Sequence, residues 1–598
     1  MKLKDIKLFK EKNPESKQKR SLKRSHIIEV VAAIFIIVFL NIIGNYLYVR
    51  FDLTSEKRYT LSKATKRLLK GIDETVLVRV YLEGNELPPD FVRLQNETKE
   101  MLNQFRAYNK YIEYEFVNPT DFDDPKEQKV FYQKLAQKGI QPSRIELKTP
   151  DGIKQQLVIP AADVFFKGQE TSVQLLLGQS YVSDAELINN SIQSLEYTLT
   201  DAIRRLGRGE KQRIAFLQGH GELERHAIYD IQLALTDYYA MENITLDGNV
   251  NALTERVISA SDSTDIDFRN KFKLLVVPKP TKPFSDEDLY IIDQFVMYGG
   301  RVLWLVDALD IEMDSLATRS QAMAMRTDLG LGFDEMMFTY GVRINPNLVM
   351  DIRCMPIPMA GGSVGNNPQI GFRPWYYFPE VVPLSKHPIV KNLDVIKTEF
   401  VNSIDIIDNE IRKTVLLTTS EYSRVVNAPA VVDLNIAQTE PDPRLFNKSN
   451  LPIAVLLEGS FKSPWKNRLA PSFTEIPEMG YRSEGEPNKM IVISDGDIIK
   501  NAFNYKQNFP YPLGYDKYTN ILYANKTFIL NAINYLCGDE DYMESRSREI
   551  KIRKLNVAKI KENRSMYQVL NTVVPIVIVI LAGVVIMIVR KNRYKKKY

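Results

Sequence analysis

Hydrophobic and polar positions recur along this chain with two different periods, and each change of period marks an element. TVLVRVYLE (Thr75–Glu83) and YIEYEFVNP (Tyr111–Pro119) alternate and are rich in β-formers, which predicts two strands. Phe91, Leu94, Met101, Leu102 and Phe105 follow helical spacing and predict a helix over 90–109. Ser62 stands where it can cap a short helix running from Lys63 to about Lys70. A further helix is expected over 125–138, then a hairpin around Asp151-Gly152. Ser191–Leu206 reads as an amphipathic helix leading into the next unit. From Arg213 the apolar runs RIAFLQGHGE, KLLVVPKP and RVLWLVDA alternate with the helical patterns HAIYDIQLALTDYYAM and DEDLYIIDQFVMYGG. Ser285 caps the second of these helices, and Gly299-Gly300 stops it. Strands alternating with helices predict a mostly parallel sheet covered by helices on both faces. Between Asp310 and about Leu393 the pattern loosens. CMPIPMAGGSVGNNPQIGFRPWYYFPE, rich in Gly, Pro and aromatics, is expected to be an ordered surface loop or an insertion. Strand-like runs return in TVLLTTSEY, LPIAVLLEG and MIVISDGDII, and Asn525–Leu536 is expected as the closing helix.

Two apolar runs are far longer than any of these: about Ile27–Val49 and Val569–Val589. Each has the roughly 20 apolar residues that a bilayer-crossing helix needs. Residues 1–26 carry ten Lys/Arg against three acids, and Arg590–Tyr598 carry six Lys/Arg and no acid. The excess of cations at both ends puts both termini in the cytoplasm and the large middle segment on the other side of the membrane, the periplasm in a Gram-negative cell. No small-residue cleavage site follows Val49, so the first run reads as an uncleaved anchor. Asn41 and Asn45 share a helix face with Gly44 nearby, a pattern that suits contact with a partner helix in the membrane. REIKIRKLNVAKIKENR (Arg548–Arg564) is expected as a charged juxtamembrane helix. The chain as a whole is +5, so the segment between the basic ends is net acidic, which argues against a nucleic-acid partner. The basic ends suit anionic lipid headgroups of the bilayer.

Candidate chemistry is sparse. Gly219-His220-Gly221-Glu222, with Glu224 and His226 just beyond, falls where a strand's carboxyl end meets a helix, the usual ligand position in open α/β sheets. His220, Glu222 and His226 are residue types that bind metal. Gly-His-Gly equally suits a tight turn, with Glu222 favouring a helix N-terminus. Gly219, His220 and Glu222 are therefore the candidate ligand residues, with no metal, cofactor or catalytic residue assigned. The two cysteines, Cys354 and Cys537, form no CxxC, and no GxSxG elbow or GxxxxGK[ST] loop occurs. Gly361–Gly365 has no clear strand before it or helix after it and reads as a flexible loop. Asp495-Gly496-Asp497 follows a strand and has the residue types to bind a cation, but a turn after a buried strand is the better reading.

The order of elements after the first apolar run, over 50–190, resembles the thioredoxin fold without its redox cysteines. The pattern over 191–543, with the loop-rich insertion near 310–393, resembles amidotransferase-like (flavodoxin-like) α/β domains. Taken in order, TSEKRYTLS, FLQGHGELE, VPKPTKPFSDEDLYIIDQFVMYGGRVLWLVD and REIKIRKLN before the second apolar run resemble the GldG family, the gliding-motility-associated auxiliary components of Bacteroidetes ABC transporters. The resemblance covers nearly the whole chain. It implies an α/β ectodomain flanked by two transmembrane helices, an ABC permease and a separate cytoplasmic ATPase as partners, and no enzymatic activity of its own. A membrane-tethered enzyme acting on envelope glycan or lipid, and a structural scaffold, remain the alternatives.

Overall fold

The computed structural model describes Ile28 and residues 30–39, most of 60–538, and 563–595. Leu61–Glu549 forms one compact unit, and the terminal segments form a second.

The first part of the compact unit is built on a four-stranded sheet of β1 (Val76–Val80), β2 (Ile112–Phe116), β3 (Ala161–Phe166) and β4 (Gln169–Gln174), in the order β2-β1-β3-β4. β1 and β2 are parallel, while β3 runs antiparallel to β1 and β4 antiparallel to β3. Val76, Val78 and Val80 point from one face of β1 into a core filled by Leu94, Leu102 and Phe105 of helix α1 (Pro89–Tyr108) and by Leu195, Leu199 and Ile203 of helix α2 (Asp184–Gly207). Ser62 caps Lys63–Lys70 as expected, its hydroxyl accepting from the Thr65 N–H. The hairpin expected at Asp151-Gly152 forms from Ser143–Thr149 and Gly152–Val158, but it is a separate two-stranded ribbon outside the sheet. The turn that joins β3 to β4 is instead Lys167-Gly168, where both residues have positive φ.

The second part is a seven-stranded sheet. Its strands are β5 (Gln212–Leu217), β6 (Tyr239–Ile244), β7 (Leu274–Pro278), β8 (Arg301–Leu305), β9 (Arg412–Thr418), β10 (Pro452–Lys462) and β11 (Glu484–Ile493), ordered β9-β10-β11-β8-β7-β5-β6. Neighbours from β6 to β11 are parallel, and β10 and β9 add antiparallel strands at one side. The central strands read as unbroken apolar runs because both faces are covered. Leu274, Val276, Leu303 and Leu305 face a core shared with Ile231, Leu235, Phe528 and Ile533. Leu275, Val277, Val302 and Trp304 face a second core shared with Leu289, Ile292, Phe295, Phe333 and Met336. Helices α3 (Tyr229–Leu235) and α6 (Asn525–Leu536) thus cover one face, and α4 (Asp286–Met297) and α5 (Leu331–Tyr340) the other. α2 joins the two parts: the Tyr238 hydroxyl bonds to Asp201 at 3.3 Å, and Arg205 lies 4.7 Å from the Tyr238 ring centre.

The segment expected as a loosely patterned loop is β structure. Cys354–Val364 and Asn367–Val381 pair as a long antiparallel hairpin, and Gly361–Val364 belongs to its first strand rather than to a flexible loop. Prolines at 356, 358, 368, 374 and 379 and two irregularities in register erase the alternation that would have announced it. Trp375, Tyr377 and Phe378 enter a third core with Leu348, Met350, Phe400 and Val432. Cys354 and Cys537 are not joined in a disulfide.

At the C-terminal end, Arg564–Lys595 is one helix. Within it, Arg564–Asn592 has a mean hydropathy of 3.2 over its most apolar window and is long and apolar enough to cross a membrane. In the first apolar run the described helix is Val30–Phe39. Asn41, Gly44 and Asn45 lie outside the described residues, as does nearly all of the expected juxtamembrane helix Arg548–Arg564.

Candidate functional site

Four parallel strands deliver charged side chains to the carboxyl edge of the large sheet, where open α/β sheets bind their ligands. β5 ends before Gly219-His220-Gly221, β7 before Lys279, β8 before Asp307, and β11 before Asp495-Gly496-Asp497.

Gly219 and Gly221 adopt φ of +120° and +73°, which allow the chain to reverse around His220. A Cβ at Gly221 would stand 2.2 Å from the Thr281 hydroxyl oxygen, so this position also needs its missing side chain. His220 and Glu222 are brought together: the His220 backbone N–H donates to Glu222 Oε2 at 2.7 Å, and His220 Nδ1 lies 3.4 Å from Glu222 Oε1. Nε2 of the same ring is 3.0 Å from Asp288 Oδ2, and the ring stacks on Phe284 at 4.2 Å. Asp288 is held in turn, its other oxygen accepting from the Gly248 N–H and its own N–H bonded to the Ser285 cap. Burial pulls the His220 pKa down, but Glu222 and Asp288 outweigh it and the net shift is upward. His220 thus clamps the ends of β5 and β7 to the start of α4, its ring meeting Asp288 and its carbonyl accepting from Thr281 and Lys282. His226 keeps other company, 3.2 Å from Glu224 and edge-on to Phe503. Among the described residues no three His, Cys, Asp or Glu side chains group as a metal site.

The stronger constellation is one that the sequence reading passed over as turns. Lys279 Nζ lies 2.6 Å from Asp497 Oδ2, 3.3 Å from Asp307 Oδ2 and 3.3 Å from Glu312 Oε1. Lys500 approaches the other Asp497 oxygen at 3.2 Å. The Gly496 N–H donates to Asp307 at 2.5 Å, and Asp495 accepts from the Asp497 and Glu399 N–H groups at 2.9 and 3.0 Å. Lys279, Asp307, Asp495 and Asp497 are all buried. Burial pulls the Lys279 pKa down, but Asp307 and Asp497 reverse this and hold it well above the usual lysine range. Burial pushes Asp307 up to about 7 despite Lys279, and burial beside Asp307 and Asp497 holds Asp495 well above the usual carboxylate range. Burial also opposes the charge on Asp497, yet Lys279 and Lys500 win and its pKa falls.

Backbone geometry shows how tightly this knot is tied. Lys279 has φ of +55°, a conformation that side-chain-bearing residues adopt at a cost. A Cβ on Gly496 would come within 2.6 Å of Lys279 Cγ, so only glycine lets the two turns pack. A nucleophilic lysine must be a free amine, and this one is locked as an ammonium by three carboxylates. The geometry makes the cluster an electrostatic rivet between strand ends. A sequence signal existed: Lys279, Asp307 and Asp495 each stand within two residues of the end of a buried apolar strand.

A model of a domain of unknown function matches residues 55–164. An uncharacterized protein of Borreliella burgdorferi (strain ATCC 35210 / DSM 4680 / CIP 102532 / B31) is 19% identical over 556 residues, covering 92% of this chain and 93% of that one. Among solved structures, the mmIFT52 N-terminal domain is similar over 55% of this chain and 98% of its own, at 12% identity and a TM-score of 0.28, too low to assign a fold. A family model described as an ABC-type uncharacterized transport system matches residues 211–532, which span the seven-stranded sheet and its rivet. That match covers more than half of the chain, and the protein belongs to this family of ABC transport auxiliary components.

Proposed function

We propose that the chain is a non-enzymatic, membrane-anchored auxiliary subunit that works with an ABC permease and a cytoplasmic ATPase in gliding motility, as its GldG-like sequence order implies. The observation that carries the reading is the family match over 211–532 in a chain that also has a 29-residue apolar helix at Arg564–Asn592. Two spans, cytoplasmic termini and a periplasmic ectodomain complete the topology implied by the charges. The first span, with Asn41, Gly44 and Asn45, supplies a packing face for a partner helix.

The fold supports a scaffold rather than a catalyst. The first sheet keeps its two parallel strands central and edge, then adds an antiparallel hairpin, an order that supports a thioredoxin-like reading. The large sheet supports an amidotransferase-like reading, with Lys279 where a nucleophile would stand at the end of a central strand. The test is solubilisation in mild detergent and purification of the tagged full chain. Permease and ATPase are expected to accompany it; their consistent absence, with the chain folded, overturns the proposal.

The rival reading, an envelope enzyme or ligand site at Gly219–Glu222, makes a separate prediction. Replacing His220 and Glu222 together by Ala would abolish function in a variant that remains folded and membrane-inserted. A folded and functional double variant removes that reading.

A further inference from the structure

Beside the rivet, on the other side of the same strand end, lies a cleft that the proposed role does not use. Val306 and Ala308 line it, while Asp307 between them turns to Lys279. It consists of two adjoining cavities of about 290 and 510 Å³ that share Arg326, Asp334, Ile344 and Pro346 as lining. Both volumes fall near or within the range of small-molecule sites, roughly 300–1,000 Å³. The cavities differ in character. The first is lined by apolar Val306, Leu329, Phe333 and Ile344, together with Asp328 and the Arg326–Asp334 pair at its shared wall. The second is lined by three arginines, Arg326, Arg343 and Arg468, with Phe338 half exposed beside them.

The three guanidinium groups are not equivalent. Arg326 is paired with Asp334 and Arg468 with Glu335, so both carry a built-in counter-ion. Among the described residues, Arg343 has only Asp405 as a counter-ion, at 3.9 Å, beyond hydrogen-bond length. Its orientation is nevertheless fixed. Arg343 Nε donates to Asn345 Oδ1 at 3.1 Å, and the buried Asn345 donates to Ser403 Oγ at 3.1 Å. Asn347 donates to the same hydroxyl at 2.9 Å. A buried amide and hydroxyl network thus holds by its Nε the guanidinium of a residue that lines the second cavity. A pre-oriented guanidinium fork suits a carboxylate or phosphate, which it can engage with two parallel bonds. The apolar part of the adjoining cavity, Val306, Leu329 and Phe333, suits a hydrocarbon body.

We propose that this cleft binds a small anionic amphiphile: a carboxylate or phosphate head on Arg343, with an apolar body in the adjoining cavity between Val306 and Phe333. The inference goes beyond the transport role and does not depend on it.

The test uses the full chain in phosphatidylcholine nanodiscs, with empty discs as the blank. Isothermal titration is made with hexyl phosphate, hexanoate, hexanol and inorganic phosphate. Hexyl phosphate or hexanoate is expected to bind, and whichever binds more tightly identifies the head group. Hexanol and inorganic phosphate, each holding one half of the chemistry, are expected to bind at least tenfold more weakly. Arg343→Gln should weaken the preferred anion by tenfold or more, whereas Arg412→Gln, an exposed arginine elsewhere, should not. Arg343→Lys keeps the charge but not the fork and should fall between them. Arg343 is itself largely exposed, so its variants should keep the wild-type melting temperature. The proposal is overturned if neither anion binds, if hexanol binds as tightly as either, or if Arg343→Gln binds like the wild type.

Discussion

Single residues at the carboxyl edge carry consequences that their sequence neighbours do not. Lys279 neutralises two buried carboxylates at once, so its removal leaves both without their cation. Breaking a buried pair typically costs about 3–5 kcal/mol. Lys279→Ala is expected to lose at least that much in chemical denaturation of the full chain, and a loss below 1 kcal/mol would show that the rivet is only decorative. Gly496→Ala should destabilise by a different route, through its Cβ pressing on the Lys279 side chain. His387 supplies a pH test. Burial lowers its pKa to about 4, from an ordinary value near 6.5, as it packs edge-on against Tyr535. The folded state therefore disfavours the protonated ring. Its contribution is complete above pH 6.5 and is lost as pH falls through 4. His387→Gln should flatten the decline in melting temperature over that window, and an unchanged pH profile would count against it.

Elements were legible to different degrees, for physical reasons. Most strands and helices of the large sheet could be read because a parallel sheet needs unbroken apolar strands and amphipathic cover; β6 was not, because its first residues Tyr239–Met241 continue the apolar spacing of a helix that ends at Leu235, and α5 lies in the segment expected to be loose. The Ser285 cap is an example of a legible feature: Ser285 Oγ accepts from the Asp288 N–H, and Gly299 takes a positive φ where the helix stops. Ser285→Ala should cost about 1 kcal/mol by loss of that bond, read by the denaturation midpoint. The 354–381 hairpin could not be read, since proline removes donors and the aromatic run Trp375–Phe378 is buried on successive positions rather than alternately. The candidate site was half legible. His220 and Glu222 are neighbours in sequence and were found together. Asp288 lies 68 residues on and Asp497 lies 218 residues from Lys279, separations at which no local pattern reports a contact. The Arg343 cleft was invisible for the same reason, because its lining comes from three stretches, 306–308, 326–346 and 468.

At the scale of the whole molecule, charge distribution makes the sharpest statement, and the two cysteines make it testable. If both basic ends are cytoplasmic and Leu61–Glu549 is outside, single reporter cysteines will sort by side. Glu486→Cys replaces a side chain that is 79% exposed on the ectodomain. Ser16→Cys and Lys596→Cys report the two ends. The natural thiols interfere little. Burial pushes the Cys354 thiol up to about 12, helped by Asp351 and Glu380, so scarcely any thiolate exists at neutral pH. Cys537 is buried at the end of α6. In intact spheroplasts a membrane-impermeant maleimide should label the Glu486→Cys chain and leave both terminal reporters untouched until the membrane is opened. Labelling of Lys596→Cys before lysis would reverse the sense of the C-terminal span. Labelling of Ser16→Cys alone would mean that the first apolar run does not cross, leaving Arg564–Asn592 as the single anchor and removing Asn41, Gly44 and Asn45 from any contact within the membrane.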